Sequence, residues 1–183
     1  GKQVTDYTDV SKNAWYYDAA KYVTDKQLMS GEKPYVFGAD EALTRAEVAS
    51  ALYNLAGQPK VELASFTDVP VTHQARTAIA WAAKTGIMKG VGDNKFEPDR
   101  SVSREEIATL LTRQRKLSGV DVTADKNEVS AFVDSAKISS WAVDGVAYCT
   151  KSGLVKGNPG KVFAPAGNTT RAELATIIQR IAA

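Results

Sequence analysis

The helix start LTRAEVASAL at residues 43 to 52 is written again as VSREEIATLL at 102 to 111 and as TTRAELATII at 169 to 178. Repetition of this kind constrains architecture more than composition does, because a unit that recurs along a chain is expected to pack against its own copies. Arg45, Arg104 and Arg171 anchor the copies at separations of 59 and 67 residues. Gly31, Gly90 and Gly157 each stand 14 residues before their arginine, and Phe37, Phe96 and Phe163 each stand 8 before. Further upstream come YTDV (7 to 10), FTDV (66 to 69) and FVDS (132 to 135), with one extra residue in the third copy ahead of its helix. Polar stretches at 56 to 65 and 117 to 131 read as linkers. The units are therefore 1–58, 59–124 and 125–183.

Each copy reads as an aromatic-x-Asp turn, a first helix, a glycine-containing loop and a second helix. In copy two, Ala75, Ile79, Ala82 and Ala83 recur at helical spacing, and Gly86 supplies a stop that Gly153 repeats and Gln27 breaks. Val48, Leu52 and Leu55 share one face of the second helix in copy one. Two short amphipathic helices leave too much apolar surface uncovered to stand alone, so the copies should pack together. The expected fold is all-α: three helix-loop-helix repeats packed as a pseudo-threefold single body.

Thr44 with Glu47, Ser103 with Glu106 and Thr170 with Glu173 have the spacing of capping boxes, and Leu43–Val48 and Val102–Ile107 that of hydrophobic staples; Thr169 weakens the staple in copy three. The arginine has no such explanation. It occupies the first helical position, where the positive end of the helix dipole costs a cation about 0.3 to 1 kcal/mol. One reading is a salt bridge to the neighbouring copy. The other, which we favour from the sequence, is an anion site: unpaired N–H groups at the helix start, joined by a guanidinium fork that matches a carboxylate or phosphate.

Net charge is +2, from 23 basic and 21 acidic residues, which argues against a nucleic-acid footprint. The chain has no apolar run long enough to cross a membrane and no basic-then-apolar leader, so no membrane insertion is expected; Gly1 reads as a trimmed start that leaves room for a signal peptide upstream. Cys149 falls in a column with Val23 and Ala82 and reads as a small buried residue. The single His73 aligns with Ala14 and Ser140, so no copy repeats it and no metal pair can be made from it. No acid pair stands out for glycoside hydrolysis. These observations disfavour an enzyme, and neither a cofactor nor a metal is expected. A helical-repeat module that binds other proteins is the alternative to a ligand-binding module.

With these turns, a Trp opening the first helix, glycine before an x-x-F loop and TRAE opening the second helix, the chain resembles the S-layer homology (SLH) domain in three tandem copies over nearly its whole length. The resemblance implies a monomeric pseudo-trimer, extracellular at the bacterial cell wall. It also implies attachment of surface proteins to a secondary cell wall polysaccharide, typically one carrying pyruvate ketals, in grooves between repeats. It assigns the TRAE arginine and residues of the Trp and Gly segments to those grooves. Carried over by position, the arginines are Arg45 and Arg171, with Arg104 from the variant SREE. The tryptophans are Trp15 and Trp141, with Gln74 in that column of copy two. Lys89 and Lys156 precede their glycines where copy one has Ser30.

Trp15 and Trp141 either stack on sugar rings or wedge the first helix against the core, and the sequence leaves both readings open. Trp81 shares a column with Tyr22 and Tyr148 and reads as packing. Asp9, Asp68 and Asp134 read first as turn closers and second as ligand contacts. Gly31, Gly90 and Gly157 are expected to hold a positive φ, with close ligand approach as their second role. Glu105 beside Arg104, together with Gln74, marks copy two as the weakest site.

Overall fold

Thr44, Ser103 and Thr170 hold extended backbone, and each hydroxyl accepts the N–H of the residue three on, at 3.2 Å in every copy. Three second helices start there: α2 (Arg45–Leu55), α4 (Arg104–Leu117) and α6 (Arg171–Ala182). The reciprocal arm of the capping box forms in copies one and three, where Glu47 and Glu173 accept the N–H of Thr44 and Thr170 at 3.3 and 3.4 Å. The expected box is incomplete in copy two. Glu106 accepts the Ser103 hydroxyl at 3.1 Å and turns its other oxygen to Arg100.

The first helices are α1 (Tyr17–Asp25), α3 (Arg76–Thr85) and α5 (Val143–Ser152). Gly86 and Gly153 end α3 and α5 in the left-handed conformation, at φ +78° and +74°. Gln27 does not escape this requirement: it adopts φ +56° in the same column. A residue with a Cβ is thus forced into a turn that favours glycine. The computed structural model describes all residues, 1 to 183, and pairs strands only as isolated bridges. The extra residue of copy three is taken up by a short 3-10 turn, Ser135–Lys137. The linker expected at 117 to 131 is shorter than that: a 3-10 turn at Lys126–Val129 buries Val129 and belongs to copy three.

The principal helix contacts run between copies. The second helix of each copy packs on the first helix of the next, α2 on α3 and α4 on α5, and α6 closes the cycle on α1. Where the copies meet, Leu43 N–H donates to Thr169 O (2.9 Å), Thr169 N–H to Val102 O (3.2 Å), and Val102 N–H to Leu43 O (2.9 Å). That closed ring of backbone bonds marks the pseudo-threefold axis. The column expected to staple the helix starts lies there, fully buried, and a single apolar core runs through all three copies.

Within each copy the landmarks form one knot. Tyr7, Phe66 and Phe132 lie 5.5, 5.5 and 5.3 Å, centroid to centroid, from Phe37, Phe96 and Phe163. A Cβ on Gly31, Gly90 or Gly157 would come within 2.5, 3.0 and 2.5 Å of the same Tyr7, Phe66 and Phe132 rings. These glycines do not carry positive φ, contrary to expectation. They are glycines because an aromatic edge and a loop carbonyl leave no room for a side chain.

Candidate functional site

The helix starts are closed to anions. The first two N–H groups of α2 go to Arg100 O and Pro98 O, those of α4 to Gly167 O and Pro165 O, and those of α6 to Glu41 O and Ala39 O. The cap hydroxyl takes the third. Each loop belongs to the next copy, so the helix dipole is spent on joining copies, and the expectation of free N–H groups is overturned.

The arginines serve the same joints. Arg45, Arg104 and Arg171 are only 6, 7 and 4% exposed. Arg45 Nε donates to Phe96 O (2.9 Å) and its Nη2 to Lys89 O (2.7 Å), while Arg104 Nε donates to Phe163 O (2.8 Å) and its Nη2 to Lys156 O (2.6 Å). Arg171 Nε donates to Phe37 O (2.9 Å), and its Nη2 reaches Ser30 O. Each guanidinium lies over the ring of the phenylalanine whose carbonyl it holds, at 4.6, 5.2 and 5.4 Å. The placement that helix physics disfavours is thus explained by a neighbouring copy, the reading given second place from the sequence. The partners are mainly carbonyls rather than carboxylates.

Three clefts lie beside these joints, and each draws on all three copies. Groove 1 sets Arg45 of copy one with Lys89 and Gly90 of copy two and Trp141 of copy three. Groove 2 sets Arg104 with Lys156 and Trp15, without Gly157 in its lining. Groove 3 sets Arg171 with Ser30, Gly31 and Gln74. The Trp of a groove therefore comes two copies after its Arg. Gln74 belongs with Arg171, not with Arg104, and the expected weakness of the copy-two arginine does not follow. Glu105 also points elsewhere: its carboxylate accepts the N–H and hydroxyl of Ser139 at 2.8 and 2.7 Å, docking α4 on the entry to α5.

Trp15 and Trp141 are 70 and 56% exposed, which removes the wedge reading, while Trp81 is buried against Tyr53 as expected. The aspartates stand apart from the grooves. Asp9 accepts Phe37 and Gly38 N–H, both at 2.8 Å; Asp68 accepts Phe96 (2.9 Å) and Glu97 (2.7 Å); Asp134 accepts Phe163 (2.9 Å) and Ala164 (2.8 Å). Desolvation pushes the Asp68 and Asp134 carboxyls up, but these backbone N–H groups together hold both below the ordinary carboxylate value. Cys149 is buried, its thiol pushed up to about 12 by desolvation, and His73 Nδ1 accepts Ala75 N–H at 3.0 Å to begin α3.

The grooves differ in charge through residues that the sequence reading missed. Groove 1 adds Arg100 and Arg113 to Arg45 and Lys89, against Glu106 in its lining and Glu97, which pairs with Arg100 at 3.3 Å. Groove 2 has Arg104, Lys156 and Arg180 against Glu173. In groove 3, Arg171 stands among Glu32, Glu47 and Asp99. Arg113 and Arg180 occupy one column with Asn54, and all three bond a carbonyl two or three residues past the end of their own first helix: Ile87 (3.1 Å), Leu154 (3.3 Å) and Leu28 (3.1 Å). Repeating the offsets of 59 and 67 from Asn54 would have found that column.

The chain matches the S-layer homology domain family over residues 6–49, 65–108 and 131–175, and it belongs to that family, whose members include S-layer and cell-surface proteins. It is 32% identical over 176 residues to an amylopullulanase of Thermoanaerobacterium thermosulfurigenes, covering 94% of this chain and 9% of that protein. It is 31% identical over 181 residues to the exoglucanase XynX of Acetivibrio thermocellus, covering 97% of this chain and 16% of the relative. With the S-layer protein sap of Bacillus anthracis the figures are 28% over 176 residues, 95% and 21%. The chain therefore spans about a fifth or less of these relatives. It is a cell-surface module, and no helix in it is long and apolar enough to cross a membrane.

Proposed function

We propose that this module attaches a larger bacterial surface protein to an acidic secondary cell wall polysaccharide, and that the acidic substituent, a pyruvate ketal by resemblance, is held in grooves 1 and 2. The observation that carries this reading is the meeting, in each of these two grooves, of an exposed tryptophan from one copy with cations from the other two. An exposed indole offers a flat apolar face to a sugar ring, and Lys89, Arg113, Lys156 and Arg180 supply charge beside it. The buried arginines frame the grooves more than they reach into them. Asp9, Asp68 and Asp134 are left to structural work, as is Gly157. The shared module in S-layer proteins and large polysaccharide-degrading enzymes fits attachment rather than catalysis.

The test is calorimetric titration of the chain with purified wall polymer before and after removal of its acidic substituents. Binding should fall by at least tenfold on their removal, as expected when a charge-assisted hydrogen bond of about 1.5 to 3 kcal/mol is lost. Equal affinity for the neutral glycan overturns charge recognition. Absence of any binding, with retention of a protein partner, overturns the glycan reading itself.

A further inference from the structure

In grooves 2 and 3 the third guanidinium nitrogen is already committed: Arg104 Nη1 meets Glu173 at 3.5 Å, and Arg171 Nη1 is paired with Glu47. The equivalent glutamate in groove 1 is Glu106, and it does not take Arg45. Its outer oxygen is held by Arg100 Nη2 at 3.3 Å, while Arg100 Nε pairs with Glu97, also at 3.3 Å. Arg45 Nη1 thus donates to nothing in the protein, although its residue is more than nine-tenths buried and lines the groove. Arg100 is peculiar to this site, for the same column is Gly167 beside groove 2 and Glu41 beside groove 3. Burial first, and the charge of Arg100 second, push the Arg45 guanidinium below its ordinary value, which a bound anion would relieve.

We propose that Arg100 is the specificity-determining residue of groove 1: by drawing Glu106 off Arg45 it frees one guanidinium nitrogen and adds a second cation, so that this groove takes a dianionic group with the chemistry of a phosphate monoester. Groove 2, whose arginine is already paired, takes a single carboxylate. The proposal deepens the glycan reading and rests on it for the natural ligand. The site chemistry can be read without the polymer.

The three indole N–H signals of the 15N-labelled chain make separate reporters, with Trp141 in groove 1, Trp15 in groove 2 and buried Trp81 as the reference for folding. Titrated with inorganic phosphate at about pH 8, where it is a dianion, Trp141 should reach its midpoint at a concentration about fivefold lower than Trp15, the effect of roughly one further partly screened charge. Acetate, with one charge, should separate them by only about twofold. Arg100→Gln should close the phosphate gap, by losing one charge and returning Glu106 to Arg45. Adding Glu106→Gln to that variant should then improve the Trp141 midpoint by more than Glu106→Gln does in the parent chain. Equal phosphate midpoints at the two indoles overturn the proposal without any variant, and an equal effect of Glu106→Gln in both backgrounds overturns the role of Arg100. Failure of polymer binding with the phosphate difference intact would remove the glycan reading and leave the dianion site standing.

Discussion

Groove 1 and groove 3 are built on the same pair of bonds, an arginine reaching the carbonyls of a loop phenylalanine and of the residue before a glycine in the next copy. Around that shared frame the first gathers Arg45, Lys89, Arg100 and Arg113 with Trp141, while the third leaves Arg171 among three acids with Gln74 in place of the indole. The frame is kept because it holds the copies together. The surroundings are free to differ because the backbone and arginine–carbonyl bonds that join the copies do not run through them. Repeated residues in such a molecule therefore report on assembly, and the columns that do not repeat set the charge and shape of each groove.

The largest expected effect tests the first half of that contrast. Arg45→Ala and Arg171→Ala should each lower unfolding stability by about 3 kcal/mol, since each leaves two buried carbonyls without their charged donor. Urea denaturation of the two variants checks this. A large loss in one and none in the other would show that the frames are not equivalent.

Next comes conversion. Ser30→Lys, Asn54→Arg and Gln74→Trp together give groove 3 the cations and the indole of its neighbours, and should strengthen polymer binding by about 1 kcal/mol, or raise its stoichiometry, because the added charges are exposed and screened. Unchanged titration curves would place the difference in the acids Glu32, Glu47 and Asp99 instead.

An effect of similar size is expected at the axis. Thr169 is buried between Leu43 and Val102, and its hydroxyl has no partner. Thr169→Val should raise stability by about 1 kcal/mol by removing that unpaired group. Tyr7→Phe is the parallel case, since the Tyr7 hydroxyl is also buried and unpaired where the other copies have phenylalanine. Thermal unfolding of both variants measures it.

Smallest is Gln27→Gly, which relieves a side chain held at φ +56° and should stabilise by about 0.5 kcal/mol after the added flexibility of the unfolded chain is counted. A loss of stability would mean that the Gln27 side chain contributes more than its backbone costs.

Much of the fold was legible because helix caps, periodic apolar faces and fixed spacings are written in side chains. The joints between copies were not. Arg45 is held by carbonyls of Phe96 and Lys89, and every residue carries a carbonyl, so no residue type announces the partner. For the same reason the sequence does not say which tryptophan shares a groove with which arginine, and nothing in it pairs Trp15 with Arg104 or Trp141 with Arg45. Crowding and positive φ call for the same residue, so Gly31, Gly90 and Gly157 do not reveal in sequence which of the two they serve. Gln27 and the column Gly38, Glu97 and Ala164, all at positive φ, show the converse, a left-handed turn imposed whatever the residue.

The cyclic order of the helices also bears on how the molecule carries a pull. Copy three meets copy two through α5 and copy one through α6. A tension applied by cargo at either end of the chain cannot peel one copy away across a single interface. Detaching a whole copy has to break two helix pairs together with the backbone ring at the axis. Such coupling turns three modest interfaces into one cooperative clasp under force.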